Sequence, residues 1–73
     1  MPDSVYKVIE LVGTSSESWE KAAANAVERA AESLRDLRIA EVTQLDMQLH
    51  DGKVDAYRAK VNVSFKYEGG DED

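Results

Sequence analysis

The sequence predicts an α+β domain of β-α-β-β order, in which a three-stranded antiparallel sheet packs on one helix. Three observations predict this fold class. A β-branched and aliphatic run comes first, an alanine-rich segment with apolar residues three and four positions apart follows, and two alternating segments then flank an Asp-Gly pair. Seventy-three residues are enough for one domain. A right-handed crossover after the first strand leaves room for the third strand between the other two.

The first strand and the helix occupy the N-terminal half of the chain. The strand is predicted over Val5–Gly13, which ends at a glycine, and the helix is predicted from Glu17 to Arg35. The apolar stripe comprises Trp19, Ala23, Ala26, Val27, Ala30, Leu34 and Leu37. Trp19 is expected to be a packing residue on this stripe. Because most of the stripe is alanine, and burial contributes roughly 25 cal/mol per Å², the predicted core is thin.

The segment before the helix is rich in hydroxyl side chains. Thr14 with Glu17 fits a capping box, and Ser15 or Ser16 is the alternative N-cap. Together with Ser18 these serines have no histidine close by in the sequence, so they are interpreted as helix-start residues rather than nucleophiles.

The C-terminal half predicts two strands, from Ile39 to Leu49 and from Val54 to Tyr67. In the third strand one face comprises Tyr57, Ala59, Val61, Val63 and Phe65, and the other Arg58, Lys60, Asn62, Ser64 and Lys66. In the second strand the apolar set is Leu45, Met47 and Leu49. The polar face of the third strand is either wet, lines a cavity or meets another subunit.

The hairpin register follows from the alternation of apolar and polar residues. A two-residue turn at Asp51-Gly52 would pair His50 with Lys53 and mix the two faces. A three-residue loop over 51–53 pairs His50 with Val54 and keeps the faces apart, with Gly52 left-handed. The pairs that result are Met47 with Tyr57, Leu45 with Ala59, and Asp46 with Arg58.

The composition limits how so short a chain can be stabilised. It has no cysteine, which excludes disulfides and Cys-based zinc sites, and its single histidine, His50, cannot build a His-rich metal site. Partner subunits are the simplest remaining source of stability. His50 beside Asp51 is interpreted as a solvated turn residue. No catalytic constellation is recognisable, so the protein is not expected to be an enzyme.

The charge is concentrated at the C-terminus. The acids among the last six residues account for −4 of the formal −6, leaving −2 for the rest. A domain over residues 1–67 and a flexible acidic tail over 68–73, with Gly69-Gly70 as its hinge, are therefore predicted. The acidity argues against nucleic acid as a partner. No apolar run approaches a membrane span and no signal sequence is evident, so no membrane partner and a cytoplasmic location are expected.

Carboxylates on the strands are the candidates for binding a cation. They are Glu10, Glu41 and Asp46. A single strand carboxylate does not by itself indicate a cation site, since solvated or ion-paired roles are usual for such residues. Symmetry would repeat a carboxylate around an oligomer axis, and a ring of carboxylate oxygens suits calcium or magnesium. Glu10 and Asp46 are the metal-ligand candidates.

Several segments together carry a family resemblance. They are the run Val5–Ser15, the helix segments Ala22-Ala23-Ala24 and Val27–Ala30, and the C-terminal segments Tyr57–Val61 and Val63-Ser64-Phe65. Over residues 5 to 67 the chain resembles the dodecin family. The strand that ends in Gly-Thr-Ser and leads to a helix is the most specific of them. The resemblance implies a hollow homododecamer with the sheets facing inward. It also implies flavins bound in pairs, stacked on a tryptophan, for storage or quenching rather than catalysis.

The sequence departs from the family at the implied flavin pocket, whose positions fall at Ile39, Glu41, Asp46 and Arg58. The stacking tryptophan is replaced by Ile39, a flavin-bonding glutamine by Arg58, and a frequent arginine by Asp46. An aliphatic side chain lacks the aromatic face, so flavin binding is not expected. The Ser18-Trp19-Glu20 opening resembles the calcium-dodecin branch instead.

Three functional hypotheses follow from this resemblance. The first is a dodecameric shell that binds or stores a small ligand or a divalent cation such as calcium. The second is a flavin-sequestering dodecin with an altered pocket. The third is an assembly module with an empty interior.

Overall fold

The computed structural model describes residues 4–67 and has the predicted β-α-β-β order. Its elements are β1 (Tyr6–Ser15), α1 (Trp19–Ala31), β2 (Leu37–His50) and β3 (Lys53–Lys66). The sheet order is β1-β3-β2, and β3 is antiparallel to both neighbours. The predicted fold class and the central position of the third strand are confirmed. The predicted acidic tail lies outside the described residues. Within 4–67 no helix is long and apolar enough to cross a membrane.

The core lies between α1 and β3 and is made of small side chains. The buried apolar residues are Ala22, Ala26, Ala30, Ala59, Val61 and Val63. Partly buried around them are Ile9, Leu11, Ala23, Val27 and Leu37. Since four of the six buried side chains are alanines, the apolar area that the isolated chain removes from water is small. The predicted thin core is confirmed.

The helix is shorter than the sequence predicted at both ends. It starts after Ser18, whose hydroxyl oxygen accepts a hydrogen bond from the Lys21 backbone N–H at 3.0 Å. The predicted capping box of Thr14 with Glu17, and the alternative caps Ser15 and Ser16, are wrong. The reason is that β1 continues to Ser15 by pairing with β3, so those residues are still extended or in the connecting bend.

At its C-terminal end α1 stops at Ala31 rather than at Arg35. The N–H groups of Ser33 and Leu34 both bond to the Ala30 carbonyl, which closes the last turn. Asp36 then takes a left-handed conformation with φ 59° and redirects the chain into β2. Leu37, predicted on the helical stripe, is the first residue of β2 and packs on the core.

The predicted pairs of Met47, Asp46 and Leu45 are correct, but the predicted loop and the predicted pair of His50 with Val54 are wrong. The turn has two residues, Asp51 and Gly52, with φ values of 52° and 75°, as in a type I′ turn. It pairs His50 with Lys53, and a bulge then restores the register, because Asp55 has no residue opposite it. Beyond the bulge the pairs are Met47 with Tyr57, Asp46 with Arg58, and Leu45 with Ala59.

The hairpin of β2 and β3 is much longer than the helix that covers it. Each strand has 14 residues and spans about 47 Å, whereas the 13 residues of α1 span about 20 Å. The Cα radius of gyration is accordingly 15.1 Å, against about 11 Å for a compact domain of this length. The turn end of the hairpin therefore projects beyond the helix.

Gly13 permits the closest approach of β1 to α1. A Cβ atom built on Gly13 would collide with the Ala22 carbonyl oxygen and press on the Ala26 Cβ. The first of these is backbone, which cannot rotate away as a side chain would. The alanine face of the helix and this glycine together set the spacing between helix and sheet.

Gly13→Ala should destabilise the fold, because the helix must move away from the sheet. Overpacking of this kind costs about 1–3 kcal/mol. The measurement is the urea midpoint at one fixed protein concentration, since a self-associating chain has a concentration-dependent midpoint. Ser16→Ala, at an exposed bend residue, is the matched control and should leave the midpoint unchanged. Equal midpoints for both variants would contradict this account of the spacing.

Candidate functional site

The face of the sheet opposite α1 carries polar residues from all three strands, and four exposed apolar residues, Tyr6, Val8, Val12 and Ile39, lie on the same face. Along β3, Arg58, Lys60 and Asn62 alternate with the buried core residues. Each has a partner on both sides, because β3 is the central strand. No element within residues 4–67 packs over this face. We therefore take it as the candidate site.

Two glutamates flank an asparagine at the middle of this face. Glu10 on β1 and Glu41 on β2 are both register partners of Asn62 on β3. Neighbouring strands lie about 4.8 Å apart, so the two glutamate Cα atoms are about 10 Å apart, with Asn62 between them. Both glutamates are exposed and Asn62 is half-buried. The row offers two carboxylates and one amide oxygen, which are ligands that calcium accepts.

Asn62 is the residue of this row that the sequence did not identify as a ligand. The hairpin register continued without interruption would have paired it with Val42. A bulge at Thr43 shifts the pairing by one residue and brings Glu41 opposite Asn62. Thr43 donates a hydrogen bond from its hydroxyl to the Lys60 carbonyl at 3.2 Å, but no sequence signal marks such a bulge.

Asp46 and Arg58 form a two-pronged ion pair on the same face. Arg58 Nε lies 2.8 Å from Asp46 Oδ1, and its Nη2 lies 3.0 Å from Oδ2. Both side chains remain partly exposed, at 44% for Arg58 and 36% for Asp46. The hydrogen bonds from Arg58 and its charge, aided by Lys60, lower the pKa of Asp46, while Asp46 raises the pKa of Arg58. The predicted opposition of these two residues is confirmed.

The backbone of Asp46 is held from the start of the helix. The indole N–H of Trp19 donates to the Asp46 carbonyl oxygen at 3.0 Å. The Trp19 ring also meets Tyr57 edge to face, with 5.1 Å between ring centroids. Trp19 is thus a packing residue, as the sequence predicted. Asp46 is consequently bound through its carboxylate to β3 and through its carbonyl to α1.

The structure does not bring the four positions of the family flavin pocket together within one chain. Ile39 pairs with Ser64, which is six residues along β3 from Arg58, or about 20 Å. Ile39 is 67% exposed and has no aromatic neighbour across the strand. Glu41 lies between these two points. One chain therefore presents the ion pair, the glutamate row and Ile39 as separate features.

The candidate catalytic groups are explained by local structure. His50 Nε2 is 3.5 Å from Asp51 Oδ2, and both side chains are at least 80% exposed at the turn. Ser15 is buried and accepts the Glu17 backbone N–H through its hydroxyl oxygen at 2.9 Å. Within residues 4–67 no three His, Cys, Asp or Glu side chains are grouped closely enough to hold a metal.

Comparison with known proteins identifies a family that this chain matches and two relatives of similar length. The Dodecin family model matches residues 5–68. The "Calcium dodecin" of Mycobacterium tuberculosis is 52% identical over 63 residues, which cover 86% of this chain and 89% of that protein. The "Dodecin" of Thermus thermophilus is 39% identical over 64 residues, covering 88% and 93%.

Solved structures with the same fold include two dodecins. The dodecin from Streptomyces coelicolor superposes with a TM-score of 0.89 at 38% identity, covering 96% of this chain and all of that one. Calcium dodecin from Mycobacterium tuberculosis, described as calcium chelating with a novel calcium-binding site, superposes with a TM-score of 0.80 at 50% identity. That superposition covers 94% of this chain and 99% of that one.

Asp46→Ala and Arg58→Ala should each destabilise the protein, and the double variant should be less damaging than the sum of the two. Each single change leaves one charge without its partner, whereas the double change removes both. Thermal midpoints of the four proteins at one concentration give the coupling. If Asp46 does not interact with Arg58 and instead faces a metal, the double-mutant cycle will show no coupling between the two residues.

The coupling should depend on pH with a definite sign. Because Arg58 lowers the pKa of Asp46 in the folded chain, the pair stabilises the fold above the ordinary carboxyl value of about 4. That contribution is lost as the pH falls through the lowered pKa. The difference in midpoint between the unmodified chain and Asp46→Asn should therefore shrink as the pH is lowered below about 4.

Proposed function

The chain belongs to the dodecin family, and from that membership we propose that it forms a non-enzymatic homododecameric shell that binds or stores a divalent cation such as calcium. The observation that carries the cation proposal is the row of Glu10, Asn62 and Glu41 on the uncovered face of the sheet. The 52% identity to a calcium dodecin supports the same choice of ligand.

Self-assembly is supported by what the isolated chain leaves exposed. Eleven large apolar side chains are between 45% and 67% exposed, while the fully buried ones are only Val61 and Val63 among the described residues. A single chain with this distribution loses much of the stabilisation that its apolar residues offer. Association with further copies recovers it without disulfides or a larger core.

Glu10 and Glu41 are better cation ligands than Asp46. Both carboxylate oxygens of Asp46 are already engaged by Arg58, so a cation would have to displace a guanidinium that neutralises the charge. Neither glutamate has a salt bridge to another described residue. Of the two sequence candidates, Glu10 is therefore favoured, and Glu41 joins it.

One chain does not complete a calcium site by itself. Calcium takes six to eight oxygen ligands, and the row supplies two carboxylates and one amide oxygen. A symmetry axis of the shell would repeat this row and bring further carboxylates to the same cation. Water molecules would fill the remaining positions.

Flavin sequestration is the second candidate function, and it is supported by family membership alone. Ile39 provides no aromatic face for stacking, and Arg58 is committed to Asp46 instead of being free to bond a ring. We therefore favour the cation. The cytoplasmic location expected from the sequence remains a prediction.

Glu10→Gln and Glu41→Gln should each weaken calcium binding at least about 10-fold, because the amide keeps the shape but loses the charge. Isothermal titration of the assembled protein with calcium chloride measures this. Asp46→Asn should leave the affinity unchanged, and Glu28→Gln on the exposed side of α1 is the matched control. If only Asp46→Asn weakens binding, the site is at the ion pair and not at the glutamate row.

Riboflavin fluorescence should not be quenched when the protein is added, since neither the stacking nor the hydrogen-bonding side chain is present. The double variant Ile39→Trp with Arg58→Gln restores both side-chain types and should gain quenching. Strong quenching by the unmodified chain at sub-micromolar protein would favour flavin sequestration instead.

A further inference from the structure

The turn end of the hairpin carries an apolar surface that its own chain does not cover. Met47, Leu49 and Val54 form this surface, named here the hairpin tip, and they are 45%, 61% and 48% exposed. Leu49 and Val54 are register partners. All three lie on the helix side of the sheet, but α1 starts at Trp19 and does not extend over them. The hairpin tip therefore lies on the side of the sheet that packs on the core, but no part of the described chain covers it.

An apolar groove lies beside α1 on the same side of the sheet. Its volume is about 480 Å³ and its lining comprises Trp19, Glu20, Ala23, Val42 and Leu45. Val42 and Leu45 are 46% and 50% exposed, since the helix packs mainly on β1 and β3. We name this cavity the helix groove. It is continuous with the core through Ala23, which packs against the buried cluster.

We propose that the hairpin tip of one copy of this chain docks into the helix groove of a second copy. The inference rests on the proposed self-assembly and assigns the surface through which it occurs. It leaves the polar face of the sheet, with its candidate cation ligands, free for a different contact.

The amount of surplus surface fits a second copy as the occupant. The chain exposes 5428 Å², whereas a compact monomer of its mass exposes roughly 4500 Å². The surplus of about 900 Å² is close to the roughly 800 Å² that each partner buries in a standard stable interface. Exposed apolar surfaces such as the hairpin tip and the helix groove mark a protein contact on a small chain rather than a wet surface.

The shapes favour a head-to-tail contact over a face-to-face one. The tip projects and the groove is concave, and they are different parts of one molecule. Leu45 and Leu49 are about 13 Å apart along β2, and the tip cannot fold back onto the groove of its own rigid hairpin. A contact between unlike surfaces leaves one tip and one groove free on each pair, so that rotation can close a ring.

The first test compares Leu49→Lys at the tip, Leu45→Lys in the groove and His50→Lys as the matched control. His50 neighbours Leu49 in sequence and is also exposed, but it alternates to the opposite face. Light scattering at micromolar concentration should give a mass near twelve subunits for the unmodified chain and for His50→Lys. Both leucine variants should fall to the monomer mass, because a charge then enters an apolar contact. An assembled Leu49→Lys would overturn the proposal.

The second test mixes the two leucine variants in equal amounts. Leu49→Lys keeps an intact groove and Leu45→Lys keeps an intact tip, so a head-to-tail contact forms once between them and yields a two-subunit species. A face-to-face contact would place a lysine in every pair and give no such species. A mixture that stays monomeric therefore overturns the head-to-tail arrangement.

Two controls distinguish a failure of the proposed contact from unfolding of the variants and from a failure of the proposed shell. Far-ultraviolet circular dichroism checks that the variants are folded, and Val54→Lys replaces Leu49→Lys if that variant is not. An unmodified chain that is itself monomeric would overturn the proposed shell together with this contact. A shell that persists in Leu49→Lys would overturn the contact alone, whatever the calcium titration gives.

Discussion

The close contact between α1 and the sheet governs the rest of the structure. Gly13 lets the helix backbone approach β1, and a row of alanines keeps it close to β3. Small side chains allow this proximity but remove little apolar area from water. Many larger apolar side chains consequently stay exposed, six of them on the strands of the hairpin and three on β1. The apolar surface that the isolated chain leaves exposed is what supports the proposed self-assembly.

The two faces of the sheet have different chemistry and meet at Asp46. Its carboxylate pairs with Arg58 on the polar face, while its carbonyl accepts the indole N–H of Trp19 from the helix side. The apolar side offers surface for association, and the polar side offers oxygen ligands at Glu10, Asn62 and Glu41. Because Asp46 and Arg58 engage each other, the row of Glu10, Asn62 and Glu41 is the part of the polar face whose carboxylates have no salt bridge among the described residues.

The fold was predictable because its signals are local. The alternation along β3, the alanine stripe of α1 and the Asp-Gly turn each reflect a period or a dihedral preference within a short window. Errors arose where distant pairing overrode a local signal. Thr14 and Glu17 match a capping box, yet pairing with β3 keeps Thr14 in β1, and Ser18 caps the helix instead. The three-residue loop is wrong for the opposite reason. It was predicted from side-chain alternation, but the local preference of Asp51-Gly52 for a two-residue turn prevailed, and a bulge at Asp55 restores the alternation.

The sequence by itself determined the element order, the residues of β3 that face the helix and the small size of the core. It also determined that Asp46 and Arg58 are register partners. Only the tertiary structure decided which residues stand beside Asn62, how far Ile39 lies from the ion pair, and that α1 leaves the hairpin tip uncovered. The physical reason is that side-chain alternation sets a face but not a register. Each bulge shifts every later pair by one residue, and the length of a helix relative to its sheet is set by where backbone pairing ends, which no single segment encodes.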